Sequence, residues 1–130
     1  MKQNKISIII NSPIESVFDF TINPENTPKW IDGIENEEVD KKPINLGTIY
    51  RNVDKSGVWT EYEVVQFYEN KIFELKQKNS IYHVRYDYDL MSEKITRLTY
   101  FEWVDDGDLT SPFSRSVLEK LKNLLENNDE

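Results

Sequence analysis

The sequence predicts an α+β fold in which one amphipathic helix near the C-terminal end lies across a large antiparallel sheet. Two observations carry this. Over residues 110–127 the apolar side chains Phe113, Val117, Leu118, Leu121, Leu124 and Leu125 recur at spacings of four, one, three, three and one, which draws one stripe along a helix of 3.6 residues per turn. Between Pro43 and Pro112 there is no proline, and that long stretch reads as strands. The stripe needs a sheet to lie on. Ser111 is placed to cap this helix, with Pro112 in its first turn. Arg115, Glu119, Lys122 and Glu126 fall on the opposite face, where Arg115 and Glu119 stand four apart as an exposed pair.

Composition narrows the function classes. A chain of 130 residues can bury roughly two thirds of its unfolded surface in one core, so residues 1–130 are expected to form one domain. Three Trp, seven Tyr and six Phe can fill a core or line a cavity with few side chains. A net charge of −8 disfavours nucleic acid and anionic membrane as partners, since both are bound through basic patches. The absence of cysteine excludes disulfides and thiolate metal sites and fits a reducing cytoplasm. Ile8-Ile9-Ile10 is too short for a signal peptide or membrane span. A cytoplasmic protein without membrane insertion is expected.

Taken in order, residues 5–11 are rich in Ile and read as a first strand, partly buried on both faces. Ser12-Pro13-Ile14-Glu15 then signals a helix start, with Ser12 and Glu15 capping each other's N–H groups and Pro13 in the first helical position. Ile14, Val17 and Phe18 form its buried side. Asn23-Pro24 ends that helix, because the residue before a proline is pushed out of the helical region. Asn23 or Thr27 opens a second short helix that packs Trp30 and Ile31 before a break at Gly33. Strands follow near residues 34–41, 47–54, 58–68, 72–79, 81–91 and 95–105.

Three hairpins fix the register by making facing residues agree. A loop at Lys55-Ser56-Gly57, with Gly57 supplying the left-handed residue, pairs Arg51 with Glu61 and Tyr50 with Tyr62. A two-residue turn at Glu69-Asn70 pairs Glu63 with Lys76, Glu61 with Lys78 and Val64 with Leu75. Glu suits a positive φ poorly, so a bulge is the alternative there. A loop at Ser92-Glu93-Lys94 pairs Tyr88 with Leu98, Tyr86 with Tyr100 and Asp89 with Arg97. All three registers assign residues to the same two faces without conflict.

The inner face so defined is too polar for a dry core. It holds Tyr50, Tyr62, Tyr82, Tyr86, Tyr88, Leu98, Tyr100 and Glu102, together with Thr, Asn and Gln. Buried tyrosine hydroxyls need partners, and water or a ligand between sheet and helix would supply them; these eight residues are the candidate ligand-binding set. Glu102, turned inward beside Val84, is the candidate catalytic acid or base, because an apolar setting disfavours its ionised form. His83, Arg85, Asp87 and Asp89 share the outer face of one strand, but alternate strand residues are roughly 6.6 Å apart and do not converge on a metal. The register sets His83 opposite Trp103 and Arg85 opposite Phe101, where ring and cation packing accounts for them. An exposed, flat face there would instead offer Phe101 and Trp103 to a homodimer. No nucleophile elbow, phosphate loop or metal-ligand cluster occurs, and no cofactor or metal is implied.

Several segments in this order resemble the START-like superfamily, the helix-grip group that includes polyketide cyclase and dehydratase-like proteins and the birch pollen allergen type. They are the first strand, the helix start Ser12-Pro13-Ile14-Glu15-Ser16-Val17-Phe18, the segment from Pro24 ending in Pro28-Lys29-Trp30, the Gly47 strand, the strand Thr96-Arg97-Leu98-Thr99 and the last amphipathic helix. The resemblance implies a β-α-α-β-β-β-β-β-β-α order and a curved seven-stranded antiparallel sheet gripping the last helix around an apolar cavity. Members bind lipids, polyketides or other hydrophobic molecules, some catalyse cyclisation or dehydration, and a chaperone-activator branch acts through partner proteins. At about 22 Å from Pro112 to Glu126 the last helix is shorter than the resemblance implies, so the cavity is small or open at one end. Three functions therefore stand open: binding of a small hydrophobic or aromatic molecule, an enzyme of cyclase or dehydratase type using Glu102 and the tyrosines, and a non-enzymatic partner protein using the outer face.

Overall fold

The two-residue alternation of the central stretch builds one antiparallel sheet, and the helical segments at either end cover its inner face. The structure, a computed structural model, describes residues 1–128; Asp129 and Glu130 lie outside the described residues. The strands are β1 (Gln3–Ile10), β2 (Asn36–Val39), β3 (Ile49–Val53), β4 (Trp59–Tyr68), β5 (Ile72–Gln77), β6 (Tyr82–Ser92) and β7 (Ile95–Val104). Their order across the sheet is β1-β7-β6-β5-β4-β3-β2, with every neighbouring pair antiparallel. Helices α1 (Ile14–Ile22) and α2 (Thr27–Trp30) carry the chain from the β1 edge to the β2 edge, and α3 (Arg115–Asn128) closes the same face. This is the α+β arrangement expected from the sequence.

The paired charges and aromatics fall where the hairpin registers put them. Tyr50 faces Tyr62 and Arg51 faces Glu61; Tyr86 faces Tyr100, Tyr88 faces Leu98 and Asp89 faces Arg97. The β4–β5 hairpin reaches its expected register by another route. Its turn has three residues, Glu69 to Lys71, with Asn70 at φ +61°, a left-handed conformation that Asn tolerates better than Glu. One residue, Val65, is then bulged out between Val64 and Gln66, so Val64 still faces Leu75 and Glu63 still faces Lys76. The bulge exchanges faces beyond it. Phe67 turns inward onto Phe73 and Phe18, while Gln66 turns outward and donates to Glu74.

Three local expectations are corrected. β1 is buried on one face only: Ile8 and Ile10 are buried, whereas Ile9 is exposed, because the outer face of this edge strand has no covering layer. Ser12 does not cap α1; Pro13, with extended dihedrals, holds the cap position. The Ser12 hydroxyl is buried without a partner, and its carbonyl accepts from Thr96 instead. The last helix begins at Arg115, so Ser111 and Pro112 precede it.

Helix α3 buries Leu118, Leu121 and Leu125 against the core, and each such side chain contributes about 1.5–3 kcal/mol relative to exposure. Its polar side chains reach the sheet edge. Arg115 donates to the carbonyl of Ser7, Lys122 to that of Ile9, and Glu126 accepts from the N–H of Asn11 while also pairing with Lys122. Arg115 therefore bonds to β1 backbone rather than to Glu119. No helix among the described residues is long and apolar enough to cross a membrane.

Candidate functional site

Where α3 starts late, the inner face of the sheet is left partly uncovered. A cleft of about 110 Å³ opens there, between the inner face of β2 to β7, helix α2 with the loop after it, and the segment leading into α3. Trp30, Tyr50, Phe73, Tyr86 and Tyr100 line it as buried residues, and Glu37, Asn52, Tyr62, Tyr82 and Phe113 as half-buried ones. The rings brace one another. Tyr86 meets Tyr100 edge-on at 5.3 Å, Trp30 meets Tyr86 at 6.3 Å, and Phe113 stacks on Tyr100 at 4.1 Å between centroids.

The structure thus brings Tyr50, Tyr62, Tyr82, Tyr86 and Tyr100 into the cleft wall. Tyr88, Leu98 and Glu102 lie elsewhere. Tyr88 and Leu98 are buried in the core, the Tyr88 hydroxyl bonded to that of Thr21 at 2.6 Å. Glu102 is buried at 1% exposure, and both its oxygens are taken. Oε1 accepts from the Tyr82 hydroxyl at 2.6 Å. Oε2 accepts from Asn4 Nδ2 at 2.8 Å and from the backbone N–H of Phe113 at 2.6 Å. Asn4 also donates to the Phe113 carbonyl. The Asn4 bond of this clamp bears on where α3 starts: a helix opening at Pro112 would give the Phe113 carbonyl to the N–H of Val117, which instead bonds the carbonyl of Ser114, while the Phe113 ring stacks on Tyr100.

The polar groups of the cleft divide into used and unused. The Tyr50 hydroxyl donates to the carbonyl of Ile22 at 2.6 Å. Among the described residues the hydroxyls of Tyr62 and Tyr86 make no hydrogen bond to protein, and the buried indole N–H of Trp30 has no acceptor. Burial raises the pKa of all five cleft tyrosines, so they stay neutral donors; Tyr62 is pushed up to about 12, by burial first and then by the charges of Glu37 and Glu102.

Glu37 escaped the sequence reading. Alternation alone gives residues 34–41 a strand but no face. Pairing Glu37 with Asn52 puts its carboxylate on the same side. Thr27 Oγ1 donates to it at 2.6 Å and Asn52 Nδ2 at 3.2 Å. Burial raises its pKa, and these two hydrogen bonds offset only part of the effect. Trp30 and Phe113 were also missed as wall residues, because their arrival depends on how α2 and the segment before α3 pack. On the outer face, His83 stacks on Trp103 at 4.8 Å with the rings parallel to within 1°, and Phe101 lies beside Trp103. These rings are half-buried by one another and by neighbouring side chains, including Lys5 over Phe101.

Seven antiparallel strands, two short helices after the first and a last helix across the inner face make this a protein of the START-like, helix-grip fold. It is similar to a START superfamily protein from Mycobacterium smegmatis, with a TM-score of 0.78 and 13% identity over 98% of this chain and 99% of that one. A protein from Nitrosomonas europaea superposes at 0.75 with 14% identity, over 98% and 96% of the two chains. The Aha1 dimer from Colwellia psychrerythraea gives 0.71 with 14% identity over the whole of both chains. At these identities the likeness is one of fold. No protein-family model matches the sequence, and neither does any curated protein sequence.

Proposed function

We propose that the protein binds a small hydrophobic or aromatic molecule in the cleft between its sheet and helices. The observation that carries this reading is an aromatic wall whose Tyr62 and Tyr86 hydroxyls make no bond to protein and whose Trp30 keeps a buried indole N–H without an acceptor. Of these groups only the Trp30 N–H is buried without a partner, at a cost of about 1–3 kcal/mol; the two hydroxyls are the ones an acceptor on a ligand or a water can meet. The volume sets the scale. Ligand pockets for drug-sized molecules run to about 300–1,000 Å³, and a cavity of about 150 Å³ takes benzene. A cleft of about 110 Å³ suits one ring with its polar end at the mouth, not a long acyl chain or a fused polyketide.

A cyclase mechanism through Glu102 gains no support from this arrangement, since its oxygens serve the clamp. Pairing of two copies through Phe101 and Trp103 rests on rings that already cover each other. The cytoplasm remains the proposed location, on the absence of cysteine.

Mass spectrometry of the purified protein, native and then denatured, tests the proposal. A small molecule released on unfolding is the expected result. Titration with single-ring compounds, followed by NMR, should move the Trp30 indole and Phe113 amide signals, and replacing Tyr86 and Tyr100 by Phe should weaken whatever binds. A protein that carries nothing and responds to no such compound overturns the reading.

A further inference from the structure

We propose that the ligand of this cleft is a small organic cation, a protonated amine or quaternary ammonium on a single ring, with its charge held at the mouth by Glu37. The inference rests on the cleft being a binding site and adds the charge of what it binds.

The chemistry of the wall is one-sided. Glu37 is the single carboxylate among the lining residues, and no Lys, Arg or His lines the cleft with it. Its two partners, Thr27 and Asn52, are neutral donors. A carboxylate has about four acceptor positions, so about half of this one's capacity is unused. Elsewhere in the molecule a substantially covered carboxylate has richer company: Glu74 has Arg85 and Gln66, Glu126 has Lys122 and the Asn11 amide, and Glu102, with no cation beside it, has three donors on its two oxygens. A charge withdrawn from water without an opposite charge is costly. At Glu37 the missing charge is one that a ligand can bring.

The surrounding rings favour the same sign. Tyr50, Tyr62 and Trp30 share the cleft with Glu37, and the faces of Tyr and Trp attract cations within about 6 Å. The field of Glu37 reaches Tyr50, Tyr62 and Tyr86, where it adds to burial in opposing phenolate formation. The same field repels an anion. A fatty acid carboxylate or a phosphate would meet Glu37 with no basic residue in the wall to answer it, in a chain of net charge −8. Glu37 is half-buried while Tyr86 and Tyr100 are buried, so the ligand's ring goes inward and its charge stays at the mouth.

Three probes of one shape separate charge from fit: benzylamine, which is an ammonium at neutral pH, benzyl alcohol and benzoate. Each is titrated into the full chain while the amide signals of Glu37, Asn52 and Phe113 and the Trp30 indole signal are followed by NMR. Benzylamine should bind at least about ten-fold more tightly than benzyl alcohol, in keeping with a hydrogen bond between charged groups, and benzoate should not bind. In Glu37→Gln the two affinities should fall to within about two-fold of each other. Equal or tighter binding of benzyl alcohol to the unaltered protein overturns the charge assignment and leaves the cleft as a site for neutral rings. No movement of these signals with any probe overturns both readings.

Discussion

Replacing Glu102 by Ala should undo the start of the last helix before it disturbs anything else. The side chain is 1% exposed and accepts from Tyr82, Asn4 and the Phe113 backbone. Bonds to a carboxylate contribute about 1.5–3 kcal/mol each, and a buried donor left without an acceptor costs about 1–3 kcal/mol. The three share one acceptor group and do not add simply; a loss of about 3–5 kcal/mol is expected, against about 5–15 kcal/mol for the whole fold. Glu102→Gln keeps an oxygen for Asn4 and Phe113, and the Tyr82 hydroxyl can reverse to accept from the new amide, so the loss should be about 1–2 kcal/mol. Urea denaturation measures both. Hydrogen exchange supplies the local signal: the Phe113 amide should exchange far faster in the Ala variant, while amides in the centre of β6 and β7 change only in line with global stability. An Ala variant within about 0.5 kcal/mol of the parent, with Phe113 still protected, would refute the clamp.

Two further predictions concern the other polar groups of the inner face. The folded-state pKa of Glu37 is raised by burial, so the proton is held more tightly in the folded chain than in the unfolded one. Its favourable contribution is complete below the unfolded value and is lost as pH rises through the folded value. Urea titrations over about pH 4 to 7 should therefore show Glu37→Gln gaining on the parent as pH increases; a difference that stays flat across this window would contradict the assignment. Tyr86→Phe removes a hydroxyl with no protein partner and should shift stability by less than about 0.5 kcal/mol. Tyr88→Phe removes a buried bond to Thr21 and should cost about 0.5–1.5 kcal/mol, so equal effects in thermal melts would show that the two hydroxyls are not as different as the geometry makes them.

What could be read in advance was whatever depends on neighbours in sequence or across one hairpin. Arg51 against Glu61 and Tyr86 against Tyr100 follow from alternation and a turn, because side chains on a strand have only two directions to take. Glu102 was correctly turned inward on this logic, but its role was not visible. Asn4 lies 98 residues away in the chain and Phe113 only 11, and nothing in either local pattern announces that they meet at one carboxylate. The start of α3 was missed for the same reason. Ser111-Pro112 is a sound local signal that a tertiary hydrogen bond overrides. A bulge in this hairpin is the alternative that Glu69 suggests, but its place at Val65 is hidden because a longer turn and a skipped residue cancel in the register, and only the placement of Phe67 and Gln66 betrays them. Glu37 follows from the same alternation once β2 is paired with β3, because it faces Asn52, which shares the inner face with Tyr50.

The three polar contacts from α3 to the rim of β1 bear on how copies of this chain behave in each other's company. Ser7, Ile9 and Asn11 offer the backbone groups onto which a foreign strand would add, and Arg115, Lys122 and Glu126 occupy them. The opposite rim, β2, is four residues long and carries two glutamates, which discourages a like strand from docking. The final helix is thus a guard against polymerisation as well as a cover for the core. A chain cut before Arg115 would bare the side chains of Leu98 and Ile8 and the ladder beside them in one stroke, and such a surface propagates from copy to copy.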